Sequence, residues 1–120
     1  MNTKIIFLTL ALLWTIIIFI GCSLPGRDMP SVKLFDHFDK VVHFTFFFVF
    51  FVLWYQSSGS FFAKSMVLIF LSFLYGFGLE FYQIHFVQGR SFDVWDGIAD
   101  TIGAIVGSIF IFFKKSKSHY

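Results

Sequence analysis

"GLEFYQIHFVQGRSFDVWDGIAD", residues 78–100, holds four of the chain's seven acidic residues and one of its two arginines, in a sequence that is 58% hydrophobic. Apolar residues run into Glu80 and Gln83 from one side and resume directly after Asp96 on the other. The stretch therefore reads as a turn between two apolar segments that keep their polar residues at the lip. Whether those segments are core helices of a soluble domain or membrane spans decides the fold.

The rest of the chain answers that question. It has 120 residues, 21 of them phenylalanine, and a mean hydropathy of +0.81. A soluble core of this size cannot hide so many large apolar side chains. The composition predicts an all-α membrane protein, one domain over residues 1–120, because no alternating pattern suggests a barrel. The phenylalanine excess, dense in "HFTFFFVFF" (residues 43–51), carries no functional weight. A net charge of +2 without an extended basic patch gives no reason to expect a nucleic-acid partner. A single cysteine excludes an intramolecular disulfide framework and a multi-cysteine metal site.

Working outward from the opening stretch, four apolar segments are expected to be transmembrane helices: Ile5–Gly21, Val41–Tyr55, Ser65–Ile84 and Gly97–Phe113, with Lys40 and Asp96 at the lips of the second and fourth. Seventeen residues reach ~26 Å, slightly short of a ~30 Å hydrocarbon core, which implies little tilt, local thinning, or flanking residues drawn into the interface. Four spans put both termini on one side. That side carries Lys4, Lys64, Lys114, Lys115 and Lys117 and no acid, whereas the other carries Arg27, Lys33, Lys40, Arg90 and every acidic residue. The lysine tail favours termini inside and the acidic layer outside, in a multi-pass protein of the bacterial cytoplasmic membrane. The first segment has a second reading, as a secretion signal: "FIGC" (residues 19–22) is close to a lipoprotein cleavage box ending at Cys22. The longer apolar run and Phe19 favour an uncut span, with Cys22 packed in it.

Helical spacing gives the polar residues a common depth. Glu80 and Gln83 share a face near the outer end of span three, and Asp96 and Asp100 share one at the start of span four. Asp39 and His43 do the same at the start of span two. Capping explains Asp36 or Asp39, and Asp93 or Asp96, at helix starts. It does not explain Glu80, which lies near a helix C-terminus, or Asp100, which lies too deep. Ionisable groups inside a span point by default to function, the bland alternative being a salt bridge of Glu80 or Asp96 with Arg90 or Lys40. His43, paired with Asp39 one turn earlier, suits an oriented base whose other ring nitrogen is held by that carboxylate, and Glu80 and Asp100 at one depth suit the sharing of a proton. No cofactor is expected. A divalent metal held by His43, Glu80 and Asp100 is the alternative, without support from any HExxH-type motif. His37, His85 and His119 are assigned nothing. Ala99, Gly103 and Gly107 form a small-xxx-small series for close helix packing, within the chain or in a homo-oligomer, with Gly76 and Gly78 as a candidate recess. Trp54, Tyr55 and Trp95 read as interface anchors.

In order along the chain, "CSLPGRDMP" (residues 22–30), "FDKVVHFTFFFVF" (residues 38–50) and "EFYQIHFVQGRSFDVWDGIADTIGAIVG" (residues 80–107) resemble the VanZ-like family of small bacterial integral membrane proteins. The match falls on Pro25, on Asp39, Lys40 and His43, and on Glu80, Gln83, Arg90, Asp96, Gly103 and Gly107. Asp100 stands where the family pattern has Asn, which adds a potential charge to the layer. The resemblance implies a four-span membrane protein of the cell envelope, in a family named after a protein linked to resistance to the glycopeptide teicoplanin. Together with the residues, it raises the expectation of an outward polar pocket that binds or acts on an envelope lipid or lipid-linked precursor. Arg90 and Lys40 would hold an anionic group, Glu80 and His43 would exchange protons, and Asp96 and Asp100 would orient them, with Asp39 and Gln83 completing the wall. The alternatives are a structural or partner-binding subunit docking through Gly103 and Gly107, and a small proton-linked transporter. Transport ranks last because Ile5–Gly21 contains no ionisable group.

Topology is directly measurable. Reporter fusions after Lys64 and after Tyr120 are expected to read cytoplasmic, and one within residues 88–90 to read external. An opposite pattern would reverse the sidedness of the acidic layer.

Overall fold

The computed structural model describes residues 2–23, 38–57, 61–87, 89 and 94–118. They form four helices: α1 (Thr3–Ser23), α2 (Phe38–Gln56), α3 (Phe61–Phe86) and α4 (Val94–Ser118). No strand occurs among the described residues. The segments Thr3–Ser23, Lys64–Phe86 and Val94–Lys115 are long and apolar enough to cross a bilayer, while α2 supplies the shorter apolar segment Lys40–Gln56. The protein is an all-α membrane protein, with four helices among the described residues.

Burial is inverted relative to a soluble domain. Large apolar side chains such as Ile16, Phe70, Ile109 and Phe113 are exposed, whereas Glu80, Gln83 and Asp100 are buried. Lipid is as apolar as a protein core, so nothing drives the aliphatic faces inward, and the interior goes to polar groups and close-packed contacts. The helices alternate in direction. Bonds between Gln83 and Cys22, Ser23 and Tyr82, and His43 and Asp100 tie one end of the bundle. At the other end Lys64 and Lys115 both sit on the ring of Tyr55. Helices α1 and α4 occupy opposite corners and do not touch, and α2 and α3 lie between them.

Two apolar clusters fill the interior. Ile18, Cys22, Phe47, Phe50 and Leu79 join α1, α2 and α3, with Trp14, Phe46, Trp54 and Tyr75 around them. Phe51, Tyr55, Leu68, Ala104 and Ile111 join α2, α3 and α4. Some of the phenylalanines thus have a structural role: Phe47 and Phe50 both pack on the ring of Tyr75, with centroids 5.7 and 5.6 Å away. Neutral hydrogen bonds pin α1. Trp14 Nε1 donates to the Phe46 carbonyl (2.8 Å), Trp54 Nε1 to Thr15 Oγ1 (3.0 Å) and Tyr75 Oη to the Thr15 carbonyl (2.8 Å). Trp54 and Tyr55 have contacts beyond those expected of interface anchors. Trp54 is a staple to α1, and Tyr55 is buried with lysines over its ring, a cation–π arrangement. Trp95 alone of the three is widely exposed.

The tightest approach is that of α4 to α2. A Cβ on Gly103 would collide with the Phe44 carbonyl, and one on Gly107 would lie 3.2 Å from the Phe48 carbonyl and from Phe51. The small-residue series is thus occupied within the chain, against α2, and the recess expected at Gly78 does not exist, since nothing lies within 4 Å of a Cβ there. Between α3 and α4, Gly89 has φ 76°, a left-handed conformation that glycine adopts without strain.

Gly103→Ala is expected to destabilise the bundle by about 1–3 kcal/mol through overpacking on fixed backbone. Gly78→Ala should leave stability unchanged or raise it by up to about 1 kcal/mol. Unfolding of both variants in detergent micelles checks this; equal stabilities would contradict the close α2–α4 contact.

Candidate functional site

The polar layer forms where α2 and α4 begin and α3 ends. His43 lies five residues into α2, Asp100 six into α4, and Glu80 six before the end of α3, so each sits ~7–9 Å from its helix end. Antiparallel packing brings these depths together. Every intramembrane polar group must find its partners within the protein, and for His43, Asp96 and Asp100 they come from neighbouring helices.

His43 is the hub. Its Nδ1 lies 2.9 Å from Asp100 Oδ1, and its Nε2 lies 3.6 Å from Asp96 Oδ2. An ionised carboxylate only accepts, so the proton belongs on Nδ1, and Nε2 carries the lone pair of the neutral ring. Lys40 Nζ forms an ion pair with the other oxygen of Asp96, Oδ1, at 2.8 Å. The salt bridge anticipated as the bland alternative therefore exists, for Asp96 with Lys40. The side chains grade from the interior outward: Asp100 and Glu80 are 1% exposed, His43 and Asp96 13%, and Lys40 22%. Glu80 completes the group, since one donor atom each from His43, Glu80 and Asp96 lie within 4.8 Å of one another.

The depth of Asp100 depends on a glycine. A Cβ on Gly76 would lie 2.7 Å from Asp100 Oδ2 and 2.9 Å from its Cβ. Gly76 is one helical turn before Glu80 on α3, so the same face that presents Glu80 also makes room for Asp100. One helix away, Gly97 accommodates the ring of Phe77 in the same manner. The recess at Gly76 thus receives a carboxylate, in place of the glycine series of α4.

The remaining expected site residues divide. Gln83 is buried but faces α1, where its Nε2 donates to the Cys22 carbonyl at 3.0 Å. This satisfies one of the carbonyls that a helix C-terminus leaves without an intrahelical partner. Ala99 is half-buried, and Gly103 and Gly107 are buried against α2 below the layer. Cys22 is buried in the last turn of α1. Arg90 lies outside the described residues, as do Pro25, Arg27, Lys33, Asp36 and Asp93, and so does the side chain of Asp39. The orienting role on His43 first suggested for Asp39 is filled at Nδ1 by Asp100, the residue four positions below Asp96. Sequence reasoning did not reach Thr15, whose carbonyl and hydroxyl take bonds from two aromatic residues. Its only signal is a lone hydroxyl in an aliphatic span.

The sequence profile of VanZ/LLP1 matches residues 5–115, nearly the whole chain. The chain belongs to the VanZ/LLP1 family. The residues of the polar layer all lie within the match. No curated protein and no solved structure matches the chain. In this VanZ/LLP1 protein the layer is a network built from three helices: a lysine and an aspartate at its mouth, a histidine at its centre and two carboxylates at its floor. Such a network can hold an imidazole in one tautomer and move a proton between His43 and a carboxylate.

The dependence on Gly76 and Asp100 is testable at one atom. Nitrogen-15 NMR of the histidines in micelles is expected to show His43 as the Nδ1–H tautomer. In both Asp100→Leu and Gly76→Ala the population should move toward Nε2–H. An unchanged His43 signal in Asp100→Leu would show that another group orients the ring.

Proposed function

We propose that this VanZ/LLP1 protein is a multi-pass protein of the bacterial cytoplasmic membrane, with its termini in the cytoplasm. Its polar layer is a pocket open to the outer face that binds, or acts on, the anionic head group of a cell-envelope lipid or lipid-linked precursor. The observation that carries this reading is the convergence of Glu80 and Asp100, both 1% exposed, on His43 within a membrane bundle. A purely structural role needs no such arrangement. A charged residue at the centre of a span costs about 2.5–3.5 kcal/mol, less near its edge, and an apolar layer of the same volume packs without that cost.

Lys40 is the most exposed member of the layer and supplies a cation at its mouth, and Arg90 in the α3–α4 connection is assigned as a second. Both suit a phosphate or another anionic group. His43 is the proton acceptor of the pocket, with Asp100 as its positioning residue, and Glu80 is the second proton carrier. Asp96 holds Lys40 and faces His43. The protein after which the family is named is linked to teicoplanin resistance, which accords with a target among envelope precursors.

The competing roles are less well supported by the geometry. The glycines offered for partner docking are occupied by α2, and α1 lacks any ionisable group along its apolar length, which counts against a proton path through all four helices.

A deletion strain complemented with wild type or with Glu80→Gln tests the proposal. The deletion is expected to change the envelope-lipid or lipid-linked precursor profile at least twofold, with restoration by wild type and none by Glu80→Gln at equal membrane abundance. Identical profiles and identical glycopeptide sensitivity across the strains would remove the proposal.

A further inference from the structure

Three donor atoms from three different helices converge in the layer. They are a histidine nitrogen on α2, a Glu80 carboxylate oxygen on α3 and an Asp96 carboxylate oxygen on α4, all within 4.8 Å of one another. We propose that His43, Glu80 and Asp96 form a binding site for one divalent transition-metal cation of the Zn²⁺ or Mn²⁺ type. The inference does not depend on the lipid reading, and in the metal-bound form His43 and Glu80 would serve as ligands in place of proton carriers.

Ligand chemistry is the first support. One imidazole and two carboxylates are a mixed nitrogen and oxygen set, which suits zinc and manganese better than the all-oxygen sites of calcium and magnesium. Ligand atoms bound at ~2.0–2.2 Å around one ion lie ~3–4 Å apart, so the observed spacing closes with side-chain shifts of about 1 Å. Three protein ligands also leave positions for water or a bound group.

The surroundings of the donors are the second support. A histidine that ligates a metal characteristically gives its other ring N–H to a carboxylate, which fixes the tautomer and aims the free nitrogen. His43 has this arrangement: Nδ1 is held by Asp100 at 2.9 Å, and Nε2 faces Asp96. Asp96 is oriented likewise, because Lys40 takes Oδ1 and Oδ2 is the oxygen nearest His43. Asp100 and Lys40 are thus positioning residues around the three ligands. Gly76 belongs to the same construction, since it admits the Asp100 carboxylate.

Charge is the third. With His43 neutral and Glu80, Asp96 and Asp100 all ionised, the described side chains of the layer carry three negative charges and one ammonium (Lys40), a formal sum of −2. A divalent cation brings that sum to zero. Excess charge of one sign is unfavourable at a site removed from water, so the balance has a physical consequence. The sequence offers no metal motif because each ligand comes from a separate helix. The third ligand is Asp96, while Asp100 serves behind the histidine.

Untagged protein in detergent, stripped with EDTA and dialysed against Zn²⁺ or Mn²⁺, provides the test. One equivalent of metal per chain is expected by mass spectrometry, with a rise in melting temperature and a nitrogen-15 shift at Nε2 of His43. Glu80→Gln and Asp96→Asn should each abolish the stoichiometric binding. Asp100→Asn should weaken it by about 10- to 100-fold, as loss of an outer-shell partner does. His85→Ala and His119→Ala should bind as wild type does. A wild-type protein that takes up no stoichiometric metal overturns the proposal, as does metal bound without any shift at His43 Nε2. These wild-type measurements decide the matter even where a ligand variant fails to fold.

Discussion

A carboxylate removed from water in a membrane bundle has to find its compensation in the protein, and this requirement organises one whole end of the molecule. Asp100 meets it with His43, and Asp96 meets it with Lys40. Each of these bonds crosses from α4 to α2, so the polar layer joins the two helices at the same end where their backbones converge. Losing one partner would leave a buried charge with much of its desolvation cost uncompensated, which is far more damaging than the modest value of an exposed ion pair. The network therefore fixes the register of α2 against α4, whatever else it does.

Glycines make that register sterically possible. Along α4, Gly103 and Gly107 let the backbone approach Phe44 and Phe48 on α2, while Gly97 receives the ring of Phe77. On α3, Gly76 leaves the space that the Asp100 carboxylate enters. Packing and electrostatics are coupled here: a methyl group at Gly76 would meet the carboxylate itself, and a methyl group at Gly103 would push away the helix that carries His43. In a membrane, where lipid supplies no hydrophobic drive between helices, such close contacts and cross-helix hydrogen bonds supply the association energy.

Periodicity and composition made the helices and the common depth of Glu80, Asp100 and His43 legible in the sequence. Spacing of three and four residues says which residues share a face of one helix. It does not say which face meets which neighbour, and the departures all lie there. Asp39 and Asp100 were both available to orient His43, and the bond at Nδ1 comes from Asp100 on another helix. Gln83 shares a face with Glu80, yet the two diverge, Gln83 toward α1 and Glu80 toward His43 and Asp96. Gly76 and Gly78 looked equivalent, but two residues along a helix is a large rotation, and only Gly76 faces α4. Arg90 carries weight from the sequence alone, since its place relative to the layer lies outside the described residues.

The division of labour among the helices follows from the same physics. Helix α1 touches α2 and α3 but not α4, and its attachments are neutral: tryptophan and tyrosine donors to Thr15, Trp14 to the Phe46 carbonyl, and Gln83 to the end of the helix. Neutral hydrogen bonds are worth about 1 kcal/mol each and leave no charge stranded when they open. The charged network, by contrast, is confined to α2, α3 and α4. Among the described residues, separation of α1 from the other three would expose no ion pair, whereas separation of α2 from α4 would break the Lys40–Asp96 ion pair and the bond of His43 to the Asp100 carboxylate. The bundle is thus a three-helix charged unit with a fourth helix held by neutral contacts.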